Sequence, residues 1–175
     1  MKDTSIQYFF AASNSYDGFV SYFDEIFSPK KYEKIYILKG GPGTGKSSFI
    51  KNVLEKFKSQ EITAEGILCS SDPNSFDGLI LERNSKKIAI IDGTSPHATE
   101  PLYPGAVEKI INLGDSWNEL LLKNNTQKIK ELCDSKKTYY KNAYQYLSVA
   151  KICEDIAFNS IKDASVQWVV LYYLI

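Results

Sequence analysis

Arginine and histidine are almost missing from this chain of 175 residues: Arg83 and His97 are the single representatives of their types. Enzymes that pass phosphoryl groups between nucleotides neutralise the moving group with several guanidinium forks, so one arginine argues against a self-contained nucleotide kinase. The cysteines, Cys69, Cys133 and Cys153, are odd in number and show neither CxxC nor Cys/His ligand spacing. That pattern argues against a disulfide framework and a zinc site, and predicts reduced, mostly buried thiols. Neither sign of charge is in excess, with 21 Lys plus Arg against 21 Asp plus Glu, so no overall field draws the chain to nucleic acid or anionic lipid. The apolar run near the N-terminus, Tyr8 to Ala12, is too short for a signal-peptide core or a membrane span, which predicts a cytoplasmic address and no membrane partner.

What is present is a composition of 43% hydrophobic residues, enough for one domain with a substantial core. Gln7 to Ala12 reads as a buried strand ending in a turn at Ser13 and Asn14. Tyr16, Phe19, Val20, Phe23, Ile26 and Phe27 recur at three and four, the period of an amphipathic helix over Tyr16 to Phe27. Lys34 to Leu38 is rich in β-branched and aromatic residues and predicts a central parallel strand, followed after a glycine-rich loop by a helix over Ser47 to Ser59. Short strands are predicted at Gly66 to Cys69 and Lys87 to Ile91. The segment Ser71 to Ser85 reads either as a helix starting at Asp72 and Pro73 or as one arm of a hairpin. Gly105 to Leu113 suggests a short helix. Asn125 to Asp163 contains neither glycine nor proline and is expected to be helical, its apolar set, including Leu132, Tyr139, Tyr146 and Ile156, suiting one long helix or a packed pair. Val166 to Ile175 is abruptly apolar and uncharged: a final sheet strand, a partner-binding tail and the truncated end of a longer protein are the competing readings.

The chemistry is concentrated in Gly40, Gly41, Pro42, Gly43, Thr44, Gly45, Lys46 and Ser47, which satisfy G-x-x-x-x-G-K-[ST], the Walker A pattern. Glycine frees the backbone to converge its N–H groups on phosphate oxygens, and the N-terminus of the following helix points its positive dipole end at the same anion. Lys46 is expected on the β- and γ-phosphates, Ser47 on Mg²⁺, and Ser48 as a further phosphate contact. Asp92, at the end of the Lys87 to Ile91 strand, is expected to hold the same Mg²⁺, so Lys46 and Asp92 are the catalytic candidates and Ser47 and Asp92 the metal candidates.

Gly93 and Thr94 follow Asp92 where many ATPases place a glutamate that activates water, which leaves the general base unassigned. Asp72, Glu82, His97 and Glu100 are all candidates for the ligand-binding end of the sheet, with His97 able to contact the γ-phosphate or simply to satisfy its own loop. No Asn-Lys-x-Asp guanine-reading segment occurs, so ATP is expected over GTP. The Lys- and Tyr-rich stretch Lys136 to Lys141 reads as a stripe with a solvated face rather than a nucleic-acid contact.

Phe9 to Asn14, Gly18 and Phe19, Ile37 to Ser47, Cys69 to Asp72, Asp77 and Gly78, Ile91 to His97, Pro104 to Glu108 and Asn112 to Gly114 together resemble a bacterial family of P-loop ATPases, uncharacterised as to substrate, over roughly residues 7 to 160. Members typically carry two tandem P-loop halves, and this chain resembles the first. The resemblance implies ATP binding, with a second P-loop half or a homo-oligomer as the partner.

The sequence-based expectation is an α/β, three-layer P-loop NTPase with a mostly parallel sheet and a helical C-terminal segment. It divides into a nucleotide-binding core over 1–122, a helical extension over 123–165 and the apolar tail over 166–175. The expected function is a Mg²⁺-dependent ATPase, with a small-molecule kinase or a non-catalytic nucleotide-binding module as alternatives.

Overall fold

The computed structural model describes residues 5–58 and 60–174, and residues 165–174 by backbone alone. Met1 to Thr4, Ser59, Ile175 and the apolar side chains expected of the tail lie outside the described residues.

In chain order the elements are β1 (Ser5–Phe10), β2 (Ala12–Ser15), β3 (Gly18–Ser21), α1 (Phe23–Ile26), β4 (Lys34–Lys39), α2 (Lys46–Phe57), β5 (Thr63–Cys69), β6 (Asp72–Arg83), β7 (Lys86–Asp92), β8 (Glu108–Asn112), α3 (Glu119–Asn124) and α4 (Thr126–Leu174). Among the described residues the main sheet has six strands in the order β1-β5-β6-β7-β4-β8, and β2 pairs with β3 in a separate hairpin. The pairs β1 with β5, β4 with β7 and β4 with β8 are parallel, whereas β6 runs antiparallel to both β5 and β7.

The sheet is therefore mixed, which corrects the expectation of a mostly parallel one. The cause is local: β6 and β7 are joined through Asn84 and Ser85 between the paired Arg83 and Lys86, and both turn residues have positive φ, 51° and 63°. A two-residue connection with two left-handed residues matches strand twist and commits the chain to a hairpin, which decides between the two readings of Ser71 to Ser85.

Alternation along the strands sorts the core onto two faces. Leu38, Leu79 and Ile90 face α2, whose Ile50 and Leu54 are fully buried against them together with Ala64 and Phe76. Ile35, Ile37, Ile67, Ile80, Ala89 and Ile91 face the other way and are covered by Ala11, Ala12, Phe23, Phe27 and Tyr32. This second cover comes from the short helix α1 and its flanking segments, so the expected third layer of long helices is replaced by aromatic side chains. Tyr32 fastens it by donating its hydroxyl to Ile26 O at 3.0 Å. Burial, reinforced by the charge of Glu65, pushes the Tyr32 phenol up to about 12.

Other expectations change for equally local reasons. The helical period over Tyr16 to Phe27 is interrupted because Ser15 Oγ accepts from Asp17 N at 3.1 Å and donates to Gly18 O at 3.1 Å, closing a turn that launches β3. Only Phe23–Ile26 is helical. The expected helix at Gly105 to Leu113 is the strand β8, which pairs with the otherwise open side of β4. The first strand is not buried: Tyr8, Phe9 and Phe10 on the sheet edge are exposed. Cys133 and Cys153 are exposed too, against the expectation of mostly buried thiols, while Cys69 is half-buried.

The chain divides into two compact units, Met1–Ser13 with Phe19–Asn125, and Asn14–Gly18 with Thr126–Ile175. In the second unit Tyr144 donates to Asn14 Oδ1 at 2.8 Å and Ser148 Oγ to Tyr16 O at 3.1 Å. The helix α4 spans 49 residues, about 73 Å at 1.5 Å per residue. Its backbone is helical to Leu174, so the tail is not a final sheet strand. Tyr139 and Tyr146 are 74% and 78% exposed, and Leu132 and Ile156 are exposed as well, so these residues do not form the helix–helix core their spacing suggested. No helix among the described residues is long and apolar enough to cross a membrane.

Candidate phosphate-binding site

The sheet delivers the glycine-rich segment at the end of β4, between β7 and β8. Gly40, Gly43 and Gly45 have φ of 149°, 81° and 84°, a run of conformations that side chains resist and that lets the loop curl before α2 begins at Lys46. The curl is held by Thr44, whose hydroxyl donates to Gly41 O at 2.9 Å, and by Phe49 N donating to Gly45 O at 2.8 Å. Pro42, Gly43, Gly45 and Ser48 are all exposed at the loop and the start of α2, whereas Thr44, Lys46 and Ser47 are half-buried.

Lys46 turns its ammonium back into the loop, donating to Gly40 O at 2.6 Å and Gly41 O at 3.1 Å, with Asp92 Oδ2 3.6 Å away. Both side chains of that pair are largely buried, at 10% and 14% exposure. Asp92 reaches this point because β7 lies parallel beside β4, in register Leu38 with Asp92, and its other oxygen is fixed: Oδ1 accepts from Thr94 N at 2.9 Å and from Thr94 Oγ1 at 2.6 Å. Thr94 thus does for Asp92 what a neighbouring carboxylate could not, since it orients the acid without adding charge.

Ser47 is tied to the neighbouring sheet: its Oγ accepts from Phe76 N at 2.8 Å. This bond fixes the first turn of α2 to β6 and leaves the hydroxyl proton and a lone pair of Ser47 available. A hydroxyl and a carboxylate are the hard oxygen donors that Mg²⁺ takes beside phosphate oxygens, and Mg²⁺ is commonly held by one or two protein oxygens plus the ligand. Ser47 and Asp92 therefore fit that ion by donor chemistry. No group of three or more His, Cys, Asp or Glu side chains suited to a metal is found among the described residues.

The remaining candidates are dispersed. Glu82 pairs with Lys87, and Arg83 flanks the Asn84–Ser85 turn, both at the end of the sheet opposite the loop, because β6 runs antiparallel. Asp72 begins β6 and accepts from Asn74 N at 3.1 Å. Glu100 pairs with Lys39, whose ammonium also donates to Gly93 O at 2.9 Å and Thr99 O at 2.7 Å. Lys39, which the motif does not include, pins the segment after Asp92 to the end of β4.

His97 is buried, stacked on Phe23 with centroids 4.2 Å apart and planes 2° from parallel, and its Nε2 lies 3.3 Å from Asp77 Oδ2. It faces Asp77 rather than the loop mouth, so its expected reach to a γ-phosphate gives way to a structural pairing. Burial opposes the charged imidazolium, but hydrogen bonding to Asp77, the Asp77 charge and the Asp92 charge outweigh it and raise the His97 pKa. Nδ1 is buried and has no hydrogen-bond partner among the described residues. The sequence marks Asp77 only by an Asp–Gly pair in an ambiguous segment, among the residues of the family resemblance, and gives no sign of its pairing with His97 or of the Phe76 bond to Ser47.

Beneath the 94–105 segment, on the face of the sheet away from α2, lies a cavity of about 330 Å³ lined by Phe23, Ile35, Ile91, Thr99, Leu102 and Glu108. Glu108 is buried but satisfied, accepting from Leu102 N at 3.1 Å and Tyr103 N at 2.7 Å.

The loop that ends β4 thus presents one ammonium, Lys46, one hydroxyl, Ser47, and, 3.6 Å from the ammonium, one carboxylate, Asp92. No family model, curated protein or solved structure matches the chain.

Proposed function

We propose that this chain binds a nucleoside triphosphate, ATP by preference, together with Mg²⁺, through Gly40 to Ser48 and Asp92. The observation that carries the reading is the position of the Lys46 ammonium, held by two loop carbonyls within reach of Asp92. These weak neutral acceptors are ones a phosphate oxygen can replace with a stronger, charge-assisted partner. Exposed N–H groups of the loop and the N-terminus of α2 supply the remaining attraction. Ser47 and Asp92 would hold the ion, which neutralises phosphate charge when bound. A cytoplasmic address, with ATP and Mg²⁺ at hand, accords with the three free thiols.

Hydrolysis by this chain is slow or depends on a partner, a second P-loop half or another copy. Asp92 is assigned to the metal, and Asp77 lies 3.3 Å from the His97 imidazole, so neither carboxylate is placed as the base that takes a proton from water. A second reading, transfer of the γ-phosphate to a small acceptor, is favoured by the cavity beneath the 94–105 segment, which is large enough for a metabolite. Calorimetric titration of Mg²⁺-ATP into wild type and Lys46→Ala tests the binding: equal affinity in both sinks it. Phosphate release measured against phosphate transfer to a metabolite pool then separates hydrolysis from kinase action.

A further inference from the structure

Trp117 lies against the phosphate loop. A Cβ built on Gly41 would sit 2.6 Å from its Cζ2 and 2.9 Å from its Cη2, so the benzo edge of the indole occupies the space above that glycine. The backbone that carries the ring is anchored. Leu113 N donates to Lys39 O at 2.8 Å, which locks the end of β8 to the end of β4. The turn that follows is closed by Gly114 N donating to Asn112 Oδ1 at 3.0 Å and by Trp117 N donating to Gly114 O at 3.0 Å. Yet the indole remains 40% exposed.

The two sides of the loop are chemically different. β7 flanks β4 on one side and brings Asp92 to the Lys46 ammonium, while β8 flanks it on the other and brings Trp117. The metal and the terminal phosphate belong with Asp92 and Lys46. A triphosphate laid along the loop from that end carries its sugar and base away from β7, toward the β8 side. There the aromatic surface of Trp117 is both anchored and open. An indole pays little conformational entropy to stack, and every base offers it a π-face.

We infer that Trp117 is the nucleobase-stacking residue of this site. The inference rests on the triphosphate reading and adds to it the group that distinguishes a nucleotide from a bare polyphosphate. Stacking reads ring area rather than edge pattern, so purine triphosphates bind in preference to pyrimidine ones.

The test is calorimetric titration of Mg²⁺-ATP and of Mg²⁺-tripolyphosphate into wild type, Trp117→Ala and Trp117→Phe. The expected result is that wild type holds ATP about tenfold more tightly than tripolyphosphate, the scale of one base–aromatic stack. Trp117→Ala removes that preference while binding tripolyphosphate as wild type does, and Trp117→Phe keeps most of it. Retained tripolyphosphate binding also shows that the variant loop is folded. Unchanged ATP affinity in Trp117→Ala overturns the inference, and so does an equal loss for both ligands, which would make Trp117 a wall that only shapes the loop. Wild type binding neither ligand overturns the triphosphate reading itself.

Discussion

Lys46 Nζ and Asp92 Oδ2 lie 3.6 Å apart across the gap between β4 and β7, the ammonium donating its hydrogen bonds to loop carbonyls and the carboxylate receiving its own from Thr94. The pair is poised rather than locked, because neither ion makes its best hydrogen bonds to the other. Asp92→Asn removes the charge and keeps the shape. Mg²⁺ should then cease to strengthen ATP binding, with affinity in Mg²⁺ falling about tenfold and affinity in EDTA changing little. Titrations with and without the metal check this, and an undiminished Mg²⁺ effect would remove Asp92 from the metal site.

Ser47 is predicted to matter for folding as well as for binding. Ser47→Ala orphans the N–H of buried Phe76, at a cost of about 1–3 kcal/mol in unfolding free energy, whereas Ser47→Thr keeps the acceptor. Urea denaturation of both variants without nucleotide measures it. Equal midpoints for Ala and wild type would mean that the β6 bond contributes nothing.

The His97–Asp77 pair predicts a pH dependence with a definite sign. A histidine whose folded pKa is raised binds its proton more tightly in the folded state, so its contribution to stability is fully present below its unfolded pKa, near 6.5, and is lost as pH rises through the higher folded value. Asp77→Asn takes away the hydrogen-bonded carboxylate and should flatten that part of the curve. Thermal midpoints of wild type and variant from pH 5.5 to 8.5, with the imidazole titrated by NMR, decide it; stability of the wild type that rises over the same window through His97 would reverse the assignment.

Burial separates two residues that the hydrophobic pattern treats alike. Leu54 on α2 is fully buried, so Leu54→Ala should cost about 2–5 kcal/mol, while Ile156 on α4 is 62% exposed and Ile156→Ala should stay within about 0.5 kcal/mol. Chemical denaturation of the two variants compares them directly. A large loss at Ile156 would show that its side chain is covered in solution.

The glycine-rich loop was readable in the sequence as a strand–loop–helix unit because its signal is contiguous: an apolar strand, three glycines and an amphipathic helix follow one another, as the backbone needs in order to curl and the helix to start. The strands β4 and β7 and the helix α2 were legible for the same reason, their apolar residues being packed into short, uninterrupted signals. Asp92 was legible as a strand end. The tertiary structure alone decided what depends on residues distant in sequence. The direction of β6 turned on two left-handed residues, Asn84 and Ser85, whose side chains do not demand that geometry. That single hairpin moved Glu82 and Arg83 to the far end of the sheet, and Asp77 to His97. β8 became a strand because β4 had an unpaired side to fill, and its register then set Trp117 against Gly41. Local sequence fixes how a loop curls. Which side chains surround it is decided by strand order, and strand order is a property of the whole sheet.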